Sequence, residues 1–171
     1  MIDAADSGAI SGPPGLAFRP ITPDDTEFLY AVYASTRTEE MALLDWADAE
    51  KETFLRSQFK AQHQAYQDTY PGDEFLVILL SGRPVGRLYV GRWKEEIRII
   101  DIALLPECRN GGIGSTILGD ILAEAARTDQ RVTIHVEMFN PALRLYRRLG
   151  FVPRGEHGVY HFMEWSPPPS P

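Results

Sequence analysis

The stretch from residue 97 to residue 127 constrains this chain more than any other. Ile97–Leu104 is apolar nearly throughout, as expected of a strand buried on both faces. Leu105-Pro106-Glu107-Cys108 leads out of it into Arg109-Asn110-Gly111-Gly112-Ile113-Gly114-Ser115. From Gly112 to Arg127, Ile113, Ile117, Leu118, Ile121 and Leu122 recur on one side of a helix. The turn between strand and helix has its own chemistry. The first amides of a helix lack internal partners and carry partial positive charge. Glycines let a ligand approach that backbone without meeting a side chain. A guanidinium such as that of Arg109 suits phosphate oxygens. Arg109–Ser115 therefore reads as an anion cradle.

The other segments place this unit in a larger sheet. Leu16–Ile21 reads as a first strand, and Thr22-Pro23-Asp24-Asp25 opens a helix with Phe28, Leu29, Val32 and Tyr33 on its apolar face. A second helix spans 47–70, with Leu55, Phe59, Tyr66 and Tyr70 at helical spacing and Pro71-Gly72 as its stop. Its other faces, rich in Gln58, Gln62, His63, Gln64 and Gln67, read as solvated. Phe75–Leu80 and Val85–Trp93 form a hairpin across Ser81–Pro84. Val132–Val136 is a strand, Pro141–Leu149 a short helix, and Phe151–Arg154 with Val159–Trp165 a last hairpin turning at 155–158. The order β-α-α-β-β-β-α-β-α-β-β mixes hairpins with helical crossovers, so the class is mixed α/β (α+β) around one central sheet.

Composition bounds what the chain does. With 171 residues it suits one domain, placed at 16–165, between a Ser/Gly/Pro-rich tail over 1–15 and a Pro-rich tail over 166–171. Seventeen basic against 24 acidic residues give a net charge of −7, which argues against nucleic acid as a partner. No apolar run approaches the roughly 20 residues that span a bilayer, so no membrane association is expected. A single cysteine and no basic-apolar leader point to a cytoplasmic protein.

Two common anion motifs are missing. The P-loop lysine is absent, and the third glycine of a dinucleotide fingerprint would fall at Ile117. The pattern that fits is Arg-x-x-Gly-x-Gly, as Arg109, Gly112 and Gly114, which resembles the coenzyme A signature of the GNAT superfamily of N-acetyltransferases. Ile102-Ala103-Leu104-Leu105-Pro106 resembles the end of that family's fourth strand. Asn140-Pro141-Ala142, Leu145-Tyr146 and Leu149-Gly150-Phe151 resemble its second motif, though Pro141 stands where the family has two residues. The resemblance covers roughly residues 16–165. It implies a GNAT-like mixed sheet of about seven strands with helices on both faces, splayed between strands 4 and 5.

It also implies roles. Acetyl-CoA is the acyl donor, with no metal. Its pantetheine lies along Ile102, Ala103 and Leu104, whose last amide faces the thioester oxygen. The amides of Asn110, Gly111, Gly112, Ile113, Gly114 and Ser115, with Arg109, hold the pyrophosphate. Asn140 meets the pantetheine from the other side, and Arg148 reaches a ribose phosphate. Tyr146 resembles the family's proton donor to the departing sulfur. His135 and Glu137 alternate along the fifth strand and share a face, making them the candidate bases. Asp101 is a weaker candidate, and Arg98 stands where the family more often places an acid. The implied reaction is direct transfer to a primary amine in a ternary complex. A non-catalytic acyl-CoA sensor and a nucleotide-dependent transferase are the alternatives. The acceptor is not readable, and the self-association considered is a homodimer. An acyl-cysteine at Cys108 and a metal at His157 and His161 are disfavoured for want of partner residues.

Overall fold

The structure, a computed structural model, describes residues 13–169. In chain order it runs β1 (Leu16–Pro20), α1 (Thr26–Ser35), α2 (Thr38–Ala42), α3 (Asp48–Thr69), β2 (Glu74–Leu80), β3 (Arg83–Arg92), β4 (Glu96–Leu104), α4 (Ile113–Thr128), β5 (Arg131–Glu137), α5 (Leu143–Arg148), β6 (Val152–His157) and β7 (Tyr160–Trp165). The seven strands form one sheet in the order β1-β2-β3-β4-β5-β7-β6. Only β4 and β5 run parallel. That pair requires a crossover, which α4 supplies.

Side-chain parity sorts the two faces. Ile78, Leu88, Val90, Ile97, Ile99, Val132, Ile134 and Met163 gather with Ile113, Ile117, Leu118, Ile121 and Leu122 of α4 into the main core. The opposite face carries α1 and α3, joined by a second cluster of Leu29, Tyr33 and Phe59. The five α4 positions expected to face inward are all buried. Asp129 ends α4 in the left-handed conformation, and its N–H donates to the Ala125 carbonyl.

Three details differ from expectation. Thr38–Ala42 forms a helix of its own; five residues are too few to show a helical period. The last hairpin turns at 158–159, not 155–158, because β6 continues to His157, which pairs with Tyr160. Gly158 takes the left-handed conformation that this tight turn needs. The amide-rich side of α3 is divided: Gln58 and Gln64 are exposed, while Gln62, His63 and Gln67 are half-buried. Of the two expected tails, residues 1–12 and 170–171 lie outside the described residues.

An ion pair secures the entry to α1. Asp25 accepts from Arg19 Nη1 and Nη2, both at 2.8 Å, and from the Thr22 amide at 2.7 Å. The Arg19 hydrogen bonds, against the opposing effect of burial, lower the Asp25 pKa from 3.8 to about 2. A carboxyl with a depressed folded-state pKa contributes stability above its unfolded value and loses it as pH falls through the folded one. Asp25→Asn should therefore lower Tm at pH 7, and the difference should close between about pH 4 and pH 2. Thermal melts across that range check it; a difference that persists at pH 2 contradicts the assignment.

Candidate active site

The sheet opens in its middle. Pairing between β4 and β5 runs from Glu96↔Arg131 to Ile99↔Ile134 and stops. Beyond it β4 stays paired to β3 as far as Leu104↔Gly86, and β5 to β7 as far as Glu137↔Tyr160. Residues 100–104 and 135–137 thus face each other across a gap with no ladder between them. The cause is local. Tyr89 pairs with Asp101 but Val90 with Ile99, so Ile100 is an extra residue in β4. Such a bulge bends its strand and increases the twist. It also shifts the parity: Ile97 and Ile99 before it, and Ile102 and Leu104 after it, all pack with the main core.

The edge of β4 at the gap carries usable polar groups. The Leu105 N–H donates to the Val85 carbonyl on β3 at 2.9 Å. Successive amides alternate sides along a strand, so the Leu104 N–H and C=O face the gap. Arg109 Nε donates to that Leu104 carbonyl at 3.0 Å, and its Nη2 to Ser35 Oγ at 3.2 Å. The guanidinium expected on the phosphate thus bridges β4 to the end of α1. Ser35 also lines a cleft of about 580 Å³ between α1, α2 and α3, with Tyr30, Met41, Asp48 and Glu52.

The glycine turn forms an open cradle. Asn110 and Gly112 adopt positive φ, +60° and +88°, and Gly112 caps α4. Thr116 donates to the Gly112 carbonyl at 3.0 Å. The amides of Ile113, Gly114 and Ser115 precede that first helical bond and have no carbonyl behind them. A Cβ added at Gly111, Gly112 or Gly114 would meet no atom within 4 Å. Space for a ligand therefore lies directly against the backbone, as the pyrophosphate of coenzyme A would require.

Tyr146, on α5, is 3% exposed, and its ring packs edge-on against Phe151 at 5.6 Å. Burial, with the Asp101 charge adding to it, pushes its phenol well above the usual range. Asp101 belongs to the α3 side of the sheet and Tyr146 to the α4 side.

The candidate bases differ from each other. His135 lies at the exposed side of β5, its ring 5.0 Å from that of Phe162. Partial burial, then the charges of Arg98 and His157, lowers its pKa from 6.5. Glu137 is instead engaged: Arg37 Nη1 donates to it at 3.0 Å and to Glu40 at 3.1 Å. Asn140 is exposed, and its Oδ1 accepts from the Ala142 amide at 2.9 Å, which shapes the shortened turn into α5. Arg148 is exposed in the last turn of that helix. Cys108 packs half-buried against the main core. His161 Nδ1 lies 3.7 Å from Glu156.

One cluster has no counterpart in the sequence reading. Arg87 of β3, 3% exposed, donates to Asp101 from Nη2 at 2.9 Å and from Nε at 3.3 Å, and to Gln62 of α3 at 3.0 Å. The Tyr66 hydroxyl of α3 donates to Asp101 at 3.0 Å. Its signal in the sequence is a break in alternation, with apolar residues at 97 and 99, then at 100, 102 and 104. The Arg37–Glu137 pair joins residues 100 positions apart and leaves no local trace.

The description of the acetyltransferase (GNAT) family matches residues 39–151, two thirds of the chain, from α2 through the cradle to Phe151. The chain belongs to the GNAT family. It is accordingly an acyltransferase, with the mixed seven-stranded sheet expected of that family. A Bacillus subtilis (strain 168) protein named "Putative ribosomal protein bS18-alanine N-acetyltransferase" is 27% identical over 149 residues, covering 85% of this chain and 86% of that one. Among solved structures, the PaiA N-acetyltransferase of Thermoplasma acidophilum in complex with coenzyme A matches at 16% identity and TM-score 0.65, covering 88% of this chain and 98% of that one. An acetyltransferase from Thermus thermophilus matches at 17% identity and TM-score 0.63, covering 91% and 99%. At these identities the two structures speak to the GNAT fold.

Proposed function

We propose that this GNAT protein transfers an acetyl group from acetyl-CoA to a primary amine by direct attack in a ternary complex, in a domain spanning 16–165 of a cytoplasmic protein. The observation that carries the reading is the open β4/β5 gap with a glycine cradle at the end of β4. The cradle amides of residues 110–115 hold the pyrophosphate. The free edge at Ile102, Ala103 and Leu104 receives the pantetheine as an added strand. Leu104 N–H is aimed where negative charge grows on the thioester oxygen. Arg148, and the charge of Arg109 as it braces Leu104 and Ser35, supply the local cations that an acidic chain needs for this ligand, and the Asn140 side-chain amide faces the pantetheine from the β5 side.

His135 takes the proton from the attacking ammonium, directly or through water, because its lowered pKa keeps it neutral at pH 7. Glu137 instead orients Arg37, its charge already matched by that partner. Tyr146 gives a proton, or a hydrogen bond, to the sulfur as the carbon–sulfur bond breaks. The nitrogen loses two protons on its way to the amide: His135 takes the first and releases it to solvent, and the second, shed by the tetrahedral intermediate's nitrogen, restores the phenol that protonates the departing thiolate.

Initial-velocity patterns with an amine panel, read by thiol release, test the mechanism. A panel member ending in an N-terminal alanine belongs in it, given the name of the B. subtilis relative. Intersecting lines are expected; parallel lines would indicate an acyl-enzyme and remove direct attack. Tight acetyl-CoA binding with no turnover on any amine would favour a sensor. The base is tested by pH. Activity should fall as His135 protonates, giving kcat/KM an acid limb below pH 6.5. In His135→Gln that limb should vanish with a loss of about 10²-fold at pH 8. An unchanged limb would exclude His135.

A further inference from the structure

We propose that the Arg87–Asp101–Tyr66 cluster, built on the buried Arg87 and the partly buried Asp101 and Tyr66, is a positioning device that holds the far half of β4 away from β5 and so keeps the donor gap open. The inference rests on the donor-binding reading of that gap. Facing strand edges with unpaired N–H and C=O groups gain by closing into a ladder. Apart from the Leu104 carbonyl, which accepts from Arg109 Nε, residues 100–104 and 135–137 are such edges, joined at Ile99↔Ile134 as if poised to continue. Something on the other side of β4 must oppose closure.

The cluster stands on that side. Asp101 is the first residue after the bulge. Arg87 ties it to β3 through bonds of 2.9 and 3.3 Å, and Tyr66 ties it to α3 at 3.0 Å. Arg87 is held in turn by Gln62 at 3.0 Å and lies over the Tyr89 ring at 5.3 Å. Closing the ladder requires loss of the bulge. Regular alternation from Ile99 would then turn Asp101 to the α4 face, into the apolar core, and leave the Arg87 cation buried without its partner. Both outcomes are strongly unfavourable. Gly86 completes the arrangement: an added Cβ would lie 2.3 Å from the Ala103 carbonyl, so β4 is drawn close to β3 at the height of the donor edge.

A buried ion pair is poor evidence of stabilisation, since apolar replacements of similar volume are often as stable. Arg87→Met combined with Asp101→Leu removes both charges together and separates the two roles. The ligands are acetyl-CoA and 3′-phosphoadenosine 5′-diphosphate, the portion of coenzyme A without pantetheine, each measured by calorimetry. The folded double variant should lose at least about tenfold in acetyl-CoA affinity and keep wild-type affinity for the fragment, because the cradle is intact. Arg87→Lys should recover part of the loss. Tyr66→Phe, which removes one hydroxyl at the edge of the cluster, should weaken acetyl-CoA about threefold with no change for the fragment, and it serves if the double variant fails to fold. Unchanged acetyl-CoA affinity, or equal losses for both ligands, would overturn the proposal. A wild-type chain that binds the fragment but gains nothing from pantetheine would overturn the donor reading, and this inference with it.

Discussion

Tyr146→Phe should lower kcat about 100-fold and leave the affinity for acetyl-CoA within about twofold. A factor of 100 corresponds to about 2.7 kcal/mol of transition-state stabilisation, within the range that a positioned proton donor supplies. The ring of Tyr146 is buried against Phe151, and phenylalanine preserves that packing, so the variant should fold. The sign of its pH behaviour separates it from His135. Burial and the Asp101 charge raise the phenol, so Tyr146 stays protonated across the working range. Its loss should lower the whole pH–rate profile without moving the acid limb, whereas the loss of His135 should erase that limb. Steady-state kinetics from pH 5 to about 10, with acetyl-CoA affinity measured separately, distinguish the two. Unchanged turnover would take Tyr146 out of the chemistry, and a large rise in the acetyl-CoA dissociation constant would make it a binding residue instead.

Gly114→Glu should cost two to three orders of magnitude in acetyl-CoA affinity while leaving Tm unchanged or higher. Gly114 lies in the first turn of α4 with open space beside it, and it has no positive φ, so a side chain fits the fold. A carboxylate there favours the helix dipole and replaces a poor helix former. The same carboxylate occupies the cradle. Like charges about 4 Å apart at an effective dielectric of 20 repel by roughly 4 kcal/mol. The penalty should shrink with added salt, as a screened repulsion must. Calorimetry at two ionic strengths checks it. Near-wild-type affinity would show that the ligand does not sit against these amides, and the pyrophosphate assignment would fall.

The chain is legible where a pattern is local. The five inward positions of α4, Ile113, Ile117, Leu118, Ile121 and Leu122, declare themselves by period and are all buried. The strands β2 to β5 fall within a few residues of their expected ends, because apolar runs bounded by Gly and Pro leave little choice. The open glycine turn is legible because Gly111 and Gly112 stand just before an amphipathic helix and Gly114 in its first turn. Pairings between distant segments are not legible. Nothing near Glu137 announces Arg37, and nothing near Asp101 announces Tyr66, since an ion pair depends on the approach of elements whose relative placement no local period encodes. The short α2 escapes for a different reason: one turn of helix is stabilised by its surroundings rather than by its own residues. The bulge at Ile100 is written in the sequence as a slip of phase, but a strand expected to be buried on both faces hides such a slip.

The sheet is assembled from two parts of the chain that meet only over four residue pairs. β2, β3 and β4 are consecutive and close on one another in a local meander, while β5 and β7 form the other side with the C-terminal portion. Glu96–Ile99 against Arg131–Ile134 is the seam between them, and it is half as long as β4 allows. On the proposed reading, acetyl-CoA supplies the missing length, so the donor is also a fastener between the two halves. Ligands that bind only the folded chain stabilise it by mass action, by about 2.7 kcal/mol at a hundredfold excess over Kd. The lifetime of the protein would then follow the supply of its donor, and the empty form would be the one most open to unfolding and proteolysis.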